Sequence, residues 1–269
     1  MTAATVLPEQ RDPAAAVQDD RDTAAHGEAR GGWRALLVQP ARVLLGVAGF
    51  LLWRTTATLS ETEARQLGAT ALWASIREHL ALTAASAVLV LLIAVPLGVA
   101  LTRRPLRRLS PIVLAVANTG QAAPAIGLFV LLASWLGFGF RTTVVALVLY
   151  AALPVLRNTM VGVQQVDARL VEAGRGMGMS TAAVLLRVEL PLAVPVMLAG
   201  VRIALVLLVG TATLATFIDG GGLGVLINTG ITLSLNSLLV SGAVLVALLA
   251  LAVDWLGRVV EHVARPKGL

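Results

Sequence analysis

Four charged side chains stand out in a segment whose neighbours are apolar. Residues 171–192 read VEAGRGMGMSTAAVLLRVELPL and include Glu172, Arg175, Arg187 and Glu189. Such charges hold a segment outside the hydrocarbon of a membrane, so the chemistry that they offer is recognition at a membrane surface. Two interpretations follow: a short helix that docks in a groove of a partner protein, or an ordinary loop that contains a surface helix.

The residues that several other chemistries need are missing. The chain has no cysteine, which excludes disulfides and thiolate metal sites, and His26, His79 and His262 lie in tails or flanks, so we expect no metal cluster. There is no G-x-x-x-x-G-K-[ST] phosphate loop, so we expect no ATPase site of the chain's own and no cofactor. The glycine run at 220–224 lacks a following Lys-Ser or Lys-Thr and predicts a turn with close backbone contacts.

The elements that must position the charged segment are membrane helices. Hydrophobic residues make up 57% of the 269 residues and charged residues only 13%, whereas soluble domains are usually about 45–50% apolar. A spanning helix needs about 20 mostly apolar residues. The sequence therefore predicts an all-α membrane protein with six transmembrane helices, at about 35–53, 79–101, 111–135, 142–160, 193–217 and 237–257.

Arginine and lysine concentrate in alternate loops and predict the orientation. They follow the second, fourth and sixth spans, at Arg103, Arg104, Arg107, Arg108, Arg157, Arg169, Arg175, Arg187, Arg258, Arg265 and Lys267. The positive-inside rule places both termini and residues 171–192 in the cytoplasm. The chain is therefore predicted to lie in the cytoplasmic (inner) membrane. The net charge of +6 is thereby explained without nucleic acid.

The sequence gives a separate structural prediction for each flanking segment. Residues 1–32 mix charged residues, alanine and proline and predict a disordered cytoplasmic tail that is retained. Residues 33–76 predict an extra N-terminal transmembrane helix and an outer-surface segment, and residues 60–78 resemble a short amphipathic helix on that surface. Residues 259–269 predict a second cytoplasmic tail.

The charged segment also predicts a weak helix over 168–179. Gly174, Gly176 and Gly178 each lower helix stability by about 1 kcal/mol relative to alanine, so a partner must hold the helix. Small residues let that partner approach closely. Pro191 suits the turn or the first position of the next span.

The spacing in this segment resembles the "EAA" loop of ABC importer permeases. That pattern is Glu-Ala-Ala, three residues, Gly, nine residues, Ile, one residue and Leu-Pro, and its matches here are Glu172, Ala173, Gly178, Leu190 and Pro191. Gly174 replaces the second alanine and Val188 replaces the isoleucine. The resemblance covers about 77–258 and implies a five-helix permease core whose coupling helix docks on a cytoplasmic ABC ATPase. It also implies an extracytoplasmic substrate-binding protein and a second permease subunit, identical or different.

A longer stretch, VELPLAVPVMLAGVRIALVLLVGTATLATFIDGGGLGVLI, resembles the permeases of osmoprotectant importers. This resemblance implies glycine betaine, choline or carnitine as the solute, although methionine importer permeases have a similar GGLG stretch, and methionine or another amino-acid-like solute is the alternative. Quaternary amines are held in aromatic cages. With one Tyr, five Phe and five Trp, the chain predicts no complete cage, so the binding protein would select the solute.

Polar residues inside the predicted spans are candidates for the translocation path. The third span is interrupted by Asn118, Thr119, Gln121 and Pro124, and polar groups at membrane depth usually face the bundle interior or a water-filled cavity. Thr211 and Thr213 are weaker candidates, because threonine often bonds to its own helix. Packing between helices is the alternative role at all six positions.

Two charged residues inside spans bear on rival functions. Arg202 predicts either snorkelling to the interface or pairing with Asp254, and we favour snorkelling or a subunit contact over a role in transport chemistry. A secondary transporter normally needs an ion- or proton-binding carboxylate at membrane depth, and Asp254 lies near one end of its span. An intramembrane protease fits poorly, since there is no G-x-S-x-G and no histidine inside a span. A membrane scaffold would leave the spacing from Glu172 to Pro191 as coincidence.

Overall fold

Every regular element in the described part of the chain is a helix. The computed structural model describes the backbone of residues 32–264 and side chains from residue 37 onward, so the predicted tail at 1–32 lies almost wholly outside the described residues. The helices are α1 (Gly32–Thr56), α2 (Glu61–Gln66), α3 (Ala69–Thr102), α4 (Ser110–Ala122), α5 (Ala125–Leu136), α6 (Phe140–Gln164), α7 (Ala168–Gly176), α8 (Thr181–Val184), α9 (Leu190–Thr211), α10 (Gly224–Thr232) and α11 (Asn236–Ala264). Between them lie 3₁₀ turns at Arg107–Leu109 and Ala212–Ile218 and a π-helical turn at Leu185–Glu189.

Five helical segments are long and apolar enough to cross a membrane. They are Leu37–Thr56, Ala69–Thr102, Phe140–Gln164, Thr181–Ile218 and Asn236–Ala264, and a bent pair, Arg107–Ala122 with Ala125–Leu136, is a candidate for a sixth crossing. The predicted all-α multi-span fold is confirmed.

The third predicted span, 111–135, is interrupted at Pro124 as predicted, and the interruption divides it into two separate helices. The pair bends by 100° between α4 and α5. Ala123 is extended, with φ −62° and ψ 143°, and Pro124 is the N-cap of α5. The ring of a proline disfavours the helical conformation of the residue before it and supplies no N–H for the helix, so the chain turns at this point.

The boundaries of three other predicted segments need correction. α3 begins at Ala69, ten residues before the predicted span, and therefore takes up most of the predicted surface helix at 60–78; only Glu61–Gln66 is separate. That short helix is held by a capping box between Ser60 and Glu63. The fifth span begins upstream of Pro191, because the helix runs continuously from Thr181. α11 extends to Ala264, into the predicted C-terminal tail.

The core lies where α3, α6 and α9 pack together, with Phe129 of α5 fully buried against it. Small residues let these helices approach closely. A Cβ at Gly98 of α3 would lie 2.8 Å from Thr159 Cβ of α6, and a Cβ at Gly162 of α6 would lie 3.0 Å from Ala193 O of α9. These contacts leave no room for larger residues, which fixes the spacing of the three helices.

α1 packs against α11 at the edge of this bundle. The side-chain amide of Gln39 donates to Asp254 Oδ2 at 2.9 Å and to Leu251 O at 3.0 Å. Asp254 also pairs with Arg202 of α9 at 3.5 Å and with Arg258 at 3.0 Å, and Arg202 reaches Glu261 Oε2 at 3.2 Å. Of the two roles predicted for Arg202, snorkelling and pairing with Asp254, the structure shows the pairing, with Glu261 as a second acidic partner on α11.

Candidate functional site

The predicted docking helix is α7, and capping groups hold it at both ends. The Asp167 side chain accepts from Arg169 N–H at 2.9 Å at the N-terminus. At the other end Met179 N–H donates to Gly174 O at 3.1 Å and Gly178 N–H donates to Arg175 O at 2.9 Å, with Gly178 at φ +82°. This is a Schellman motif. The helix therefore ends at Gly176, three residues before the predicted end, and Gly178 terminates it.

The two faces of α7 have different surroundings. Gly174 is buried, and a Cβ there would lie 3.4 Å from Met179 Sδ, 3.5 Å from Val184 Cγ2 and 3.7 Å from Val188 Cγ2. Those are ordinary contact distances, so the alanine of the EAA pattern would fit. Glu172 and Ala173 are exposed. α7 thus rests on the segment that follows it and presents its remaining surface outward.

The link from α7 to α9 contains a partly buried ion pair that the sequence analysis missed. Glu189, at the end of the π-helical turn, is only 6% exposed. Arg103, the C-cap of α3, donates from both terminal nitrogens to its two carboxylate oxygens, with Nη1 3.3 Å from Oε1. Leu190 and Pro191 follow as the first two residues of α9. The signal available in the sequence was a carboxylate inside the apolar run V-E-L-P-L.

The polar break of the third span faces outward in this single chain. Asn118, Thr119 and Pro124 are exposed. Thr119 Oγ1 donates to Ala115 O of its own helix at 2.9 Å, and Gln121 Nε2 lies 3.5 Å from Tyr150 O of α6. The described chain alone therefore does not enclose these groups, and a path lined by them needs a second surface.

The two candidate threonines lie at the end of α9. Thr211 is its last residue, and Thr213 falls in the 3₁₀ turn Ala212–Ile218, where its hydroxyl donates to Gly210 O at 2.7 Å. This turn packs against α5. The structure thus brings the end of α9 next to one half of the broken span, while Thr213 bonds to its own helix as the alternative role anticipated.

A second polar cluster lies at the opposite end of α3. The carboxylate of Glu78 accepts from Gly222 N–H at 3.0 Å, and His79 Nδ1 accepts from Leu223 N–H at 3.3 Å. His79 Nε2 then donates to Val209 O of α9 at 2.9 Å. His79 is fully buried, so its predicted place in a flank was wrong. Its position at the head of an apolar run was the only sequence signal.

The glycine run forms the predicted turn with close backbone contacts. Gly221 and Gly222 have φ values of +77° and +86°, and a Cβ at Gly222 would lie 3.1 Å from His79 Nδ1. At Gly224 a Cβ would collide with Thr213 O. We call residues 219–224 the glycine loop.

Comparison with known proteins identifies the class. Residues 94–265 match the model of the family described as binding-protein-dependent transport system inner membrane component. The chain is 41% identical over 192 residues to the glycine betaine/carnitine/choline transport system permease protein of Bacillus subtilis, covering 71% of this chain and 88% of that protein. It is 38% identical over 197 residues to the osmoprotectant import permease protein of Salmonella typhimurium, covering 71% and 91%.

A solved structure has the same fold. A chain of the MetNI methionine ABC transporter, in an inward-facing conformation, aligns with a TM-score of 0.65 over 77% of this chain and 99% of its own length. The two chains are 24% identical, so this likeness concerns the fold alone.

Proposed function

Because this chain belongs to the family of binding-protein-dependent transport system inner membrane components and is a permease subunit of an ABC importer, we propose that it carries a small quaternary-ammonium osmolyte. Glycine betaine, choline and carnitine are the candidates. The observation that carries the proposal is the 41% identity over 88% of a permease named for these three solutes. The solute would be delivered by an extracytoplasmic binding protein, since the chain has few aromatic residues for a cage of its own.

The energy for transport would come from a separate cytoplasmic ABC ATPase that docks on α7. The chain has no phosphate loop of its own. α7 supports the assignment because it is fixed at both ends, rests on the following segment through Gly174 and exposes Glu172. The arginines around 103–108 lie at the same end of α3 as the contact with Glu189, and the positive-inside rule places that end in the cytoplasm with both termini.

The translocation path would run along the bend between α4 and α5. Asn118, Thr119 and Pro124 are exposed there in the single chain, and polar groups at membrane depth need a bundle interior or a water-filled cavity. A second permease subunit, identical or different, would cover this face and complete the path. Asp254 does not favour a secondary transporter, because Gln39, Arg202 and Arg258 already contact its carboxylate.

The experiment is solute uptake by the reconstituted importer. Proteoliposomes that contain the permease, its ATPase and the binding protein are offered labelled glycine betaine, choline, carnitine and methionine, with and without ATP inside. We expect ATP-dependent uptake of at least one quaternary amine and no uptake of methionine. Uptake of methionine alone would overturn the assigned solute class.

A further inference from the structure

We propose that α3 and α9 form one rigid body that transmits movement of α7 to the glycine loop at the opposite end of the bundle. The Arg103–Glu189 pair would be its contact at the α7 end, and Glu78 and His79 its contacts at the loop end. The inference rests on the proposed function and extends it, because it names the residues through which docking of the ATPase would reach the far face.

The first step is the contact between α7 and the start of the long fifth span. A Cβ at Gly174 would lie 3.4–3.7 Å from side-chain atoms of Met179, Val184 and Val188, so these residues pack over the backbone of α7 and couple it to the segment at 179–188. That segment includes a π-helical turn in which Leu190 N–H bonds to Leu185 O, five residues back. π-helical turns occur frequently at functional sites, where they widen a helix locally.

The second step is the ion pair at the end of that turn. Two parallel hydrogen bonds between a guanidinium and a carboxylate fix orientation as well as distance. Glu189 is buried, and Arg103 Nε is buried with no hydrogen-bond partner among the described residues. Among the described residues, the hydrogen bonds of the Arg103 side chain are therefore those to Glu189. The pair ties the last turn of α3 to the first turn of α9, so these two helix ends move together.

The third step is the length of α3. The helix is continuous over 34 residues, and Glu78 and Arg103 are separated by 25 positions, or about 37 Å at 1.5 Å per residue. Its close contact with α6 at Gly98 lies between the two ends. Pro96 lies inside this helix and removes one hydrogen bond of its ladder, yet the helix stays continuous, so it carries a displacement from one end to the other.

The fourth step is the contact at the loop end. His79 joins α3 to α9 through Val209 O, and it accepts from the loop through Leu223 N–H, while Glu78 accepts from Gly222 N–H. Accepting at Nδ1 places the proton on Nε2, so His79 acts as a neutral bridge. α3 and α9 are thus tied at both ends, and the glycine loop is bonded to the body that they form.

The test uses a reporter in a chain that has no cysteine of its own. Val225 is exposed, and its N–H bonds to Gly222 O at 3.1 Å, so Val225→Cys reports on the glycine loop. The permease–ATPase complex is placed in lipid nanodiscs, where both faces are accessible, and the rate of maleimide labelling is measured with and without bound ATP.

The variants in this background are Glu189→Gln, the charge swap Arg103→Glu with Glu189→Arg, and His79→Leu. Arg187→Gln is the matched control, because Arg187 lies in the same π-helical turn but is exposed.

We expect ATP to change the labelling rate in the parent and in Arg187→Gln. Glu189→Gln and His79→Leu should reduce that ATP-dependent change by about tenfold while the ATPase still co-purifies, and the charge swap should restore it. The proposal is overturned if either single variant keeps the full change, if the swap fails to restore it, or if Glu189→Gln loses the ATPase. Failure of the proposed function is distinguishable, since the parent complex itself would then show no ATP-dependent uptake of a quaternary amine in proteoliposomes, or no ATPase association.

Discussion

At the scale of single residues, Gly174 and Gly178 lie four positions apart and meet different needs. Gly174 is helical and lies under Met179, Val184 and Val188, where a small residue such as glycine or alanine fits, whereas Gly178 adopts a φ of +82° that ends α7. A residue with a side chain is strained in that conformation by about 1–2 kcal/mol. Glu172, by contrast, is exposed on the side of α7 away from Gly174, where it is free to contact a partner.

Glu172→Lys tests the outward face of α7. Charge reversal at an interface places like charges together and costs several kcal/mol, so we expect uptake and co-purification of the ATPase to fall by at least about tenfold. The protein should still insert, since Glu172 makes no buried contact. Glu61→Lys makes the same charge change on the exposed α2 and should leave both measurements unchanged. Normal uptake and association in Glu172→Lys would remove the support for α7 as the docking helix.

At the scale of elements, a proline and a glycine set the shape of the chain in different ways. Pro124 separates α4 from α5 and turns an apolar stretch of spanning length into two helices at 100°. The Schellman motif at Gly178 instead ends α7 and turns the chain toward the start of α8. Both breaks arise from local backbone conformation. Each leaves polar or charged residues exposed that an uninterrupted helix would bury or point in another direction.

Gly174→Ala tests the packing of α7 as an element. Because a Cβ fits at 3.4–3.7 Å from its neighbours, alanine should stabilise the helix by about 1 kcal/mol and slow amide hydrogen exchange in 168–176, with uptake retained. Gly174→Leu should speed exchange there, since the larger side chain meets Met179, Val184 and Val188. Gly176→Ala is the control for propensity alone, because a Cβ at Gly176 meets nothing within 4 Å. Faster exchange in Gly174→Ala than in the parent would contradict the packing described.

At the scale of the whole molecule, α1 lies at the edge of the bundle. It lies outside residues 94–265, which match the family model, and only 6% of its apolar window is buried in the described chain. Gln39 of α1 donates a hydrogen bond to Asp254, whose carboxylate Arg202 and Arg258 also contact. The charges near this end of α9 and α11 thus form one network, to which α1 adds a single amide.

Gln39→Leu tests whether α1 is accessory. Removing a hydrogen bond to a charged group should lower the free energy of unfolding by about 1.5–3 kcal/mol, while Asp254 keeps its arginine partners. We expect a lower midpoint of thermal unfolding in detergent and uptake within about twofold of the parent. Asp254→Asn, which weakens the whole network, is the comparison and should cost more. A loss of uptake in Gln39→Leu as large as in Asp254→Asn would assign α1 to the transport core.

The sequence by itself determined what depends on neighbouring residues. Runs of apolar residues predicted the helical membrane fold, Pro124 predicted an interruption, and the glycine run predicted a tight turn, because chain conformation and transfer to lipid are set locally. The spacing from Glu172 to Pro191 predicted the class of protein, which the family match confirms. The roles of individual residues in docking and in the path stay predictions.

Only the tertiary structure decided which distant groups meet. Arg103 and Glu189 are 86 residues apart, and His79 and Val209 are 130 apart. An apolar run indicates that a helix is buried in lipid or protein. It does not indicate how the helix is rotated about its axis or which helices lie beside it, so no local pattern could pair these groups. The same reason explains why the sequence left two roles open for Arg202, whose partners are supplied by another helix. It also explains why the sequence missed the early start of α3, whose first turns pack against the protein instead of lying on the membrane surface.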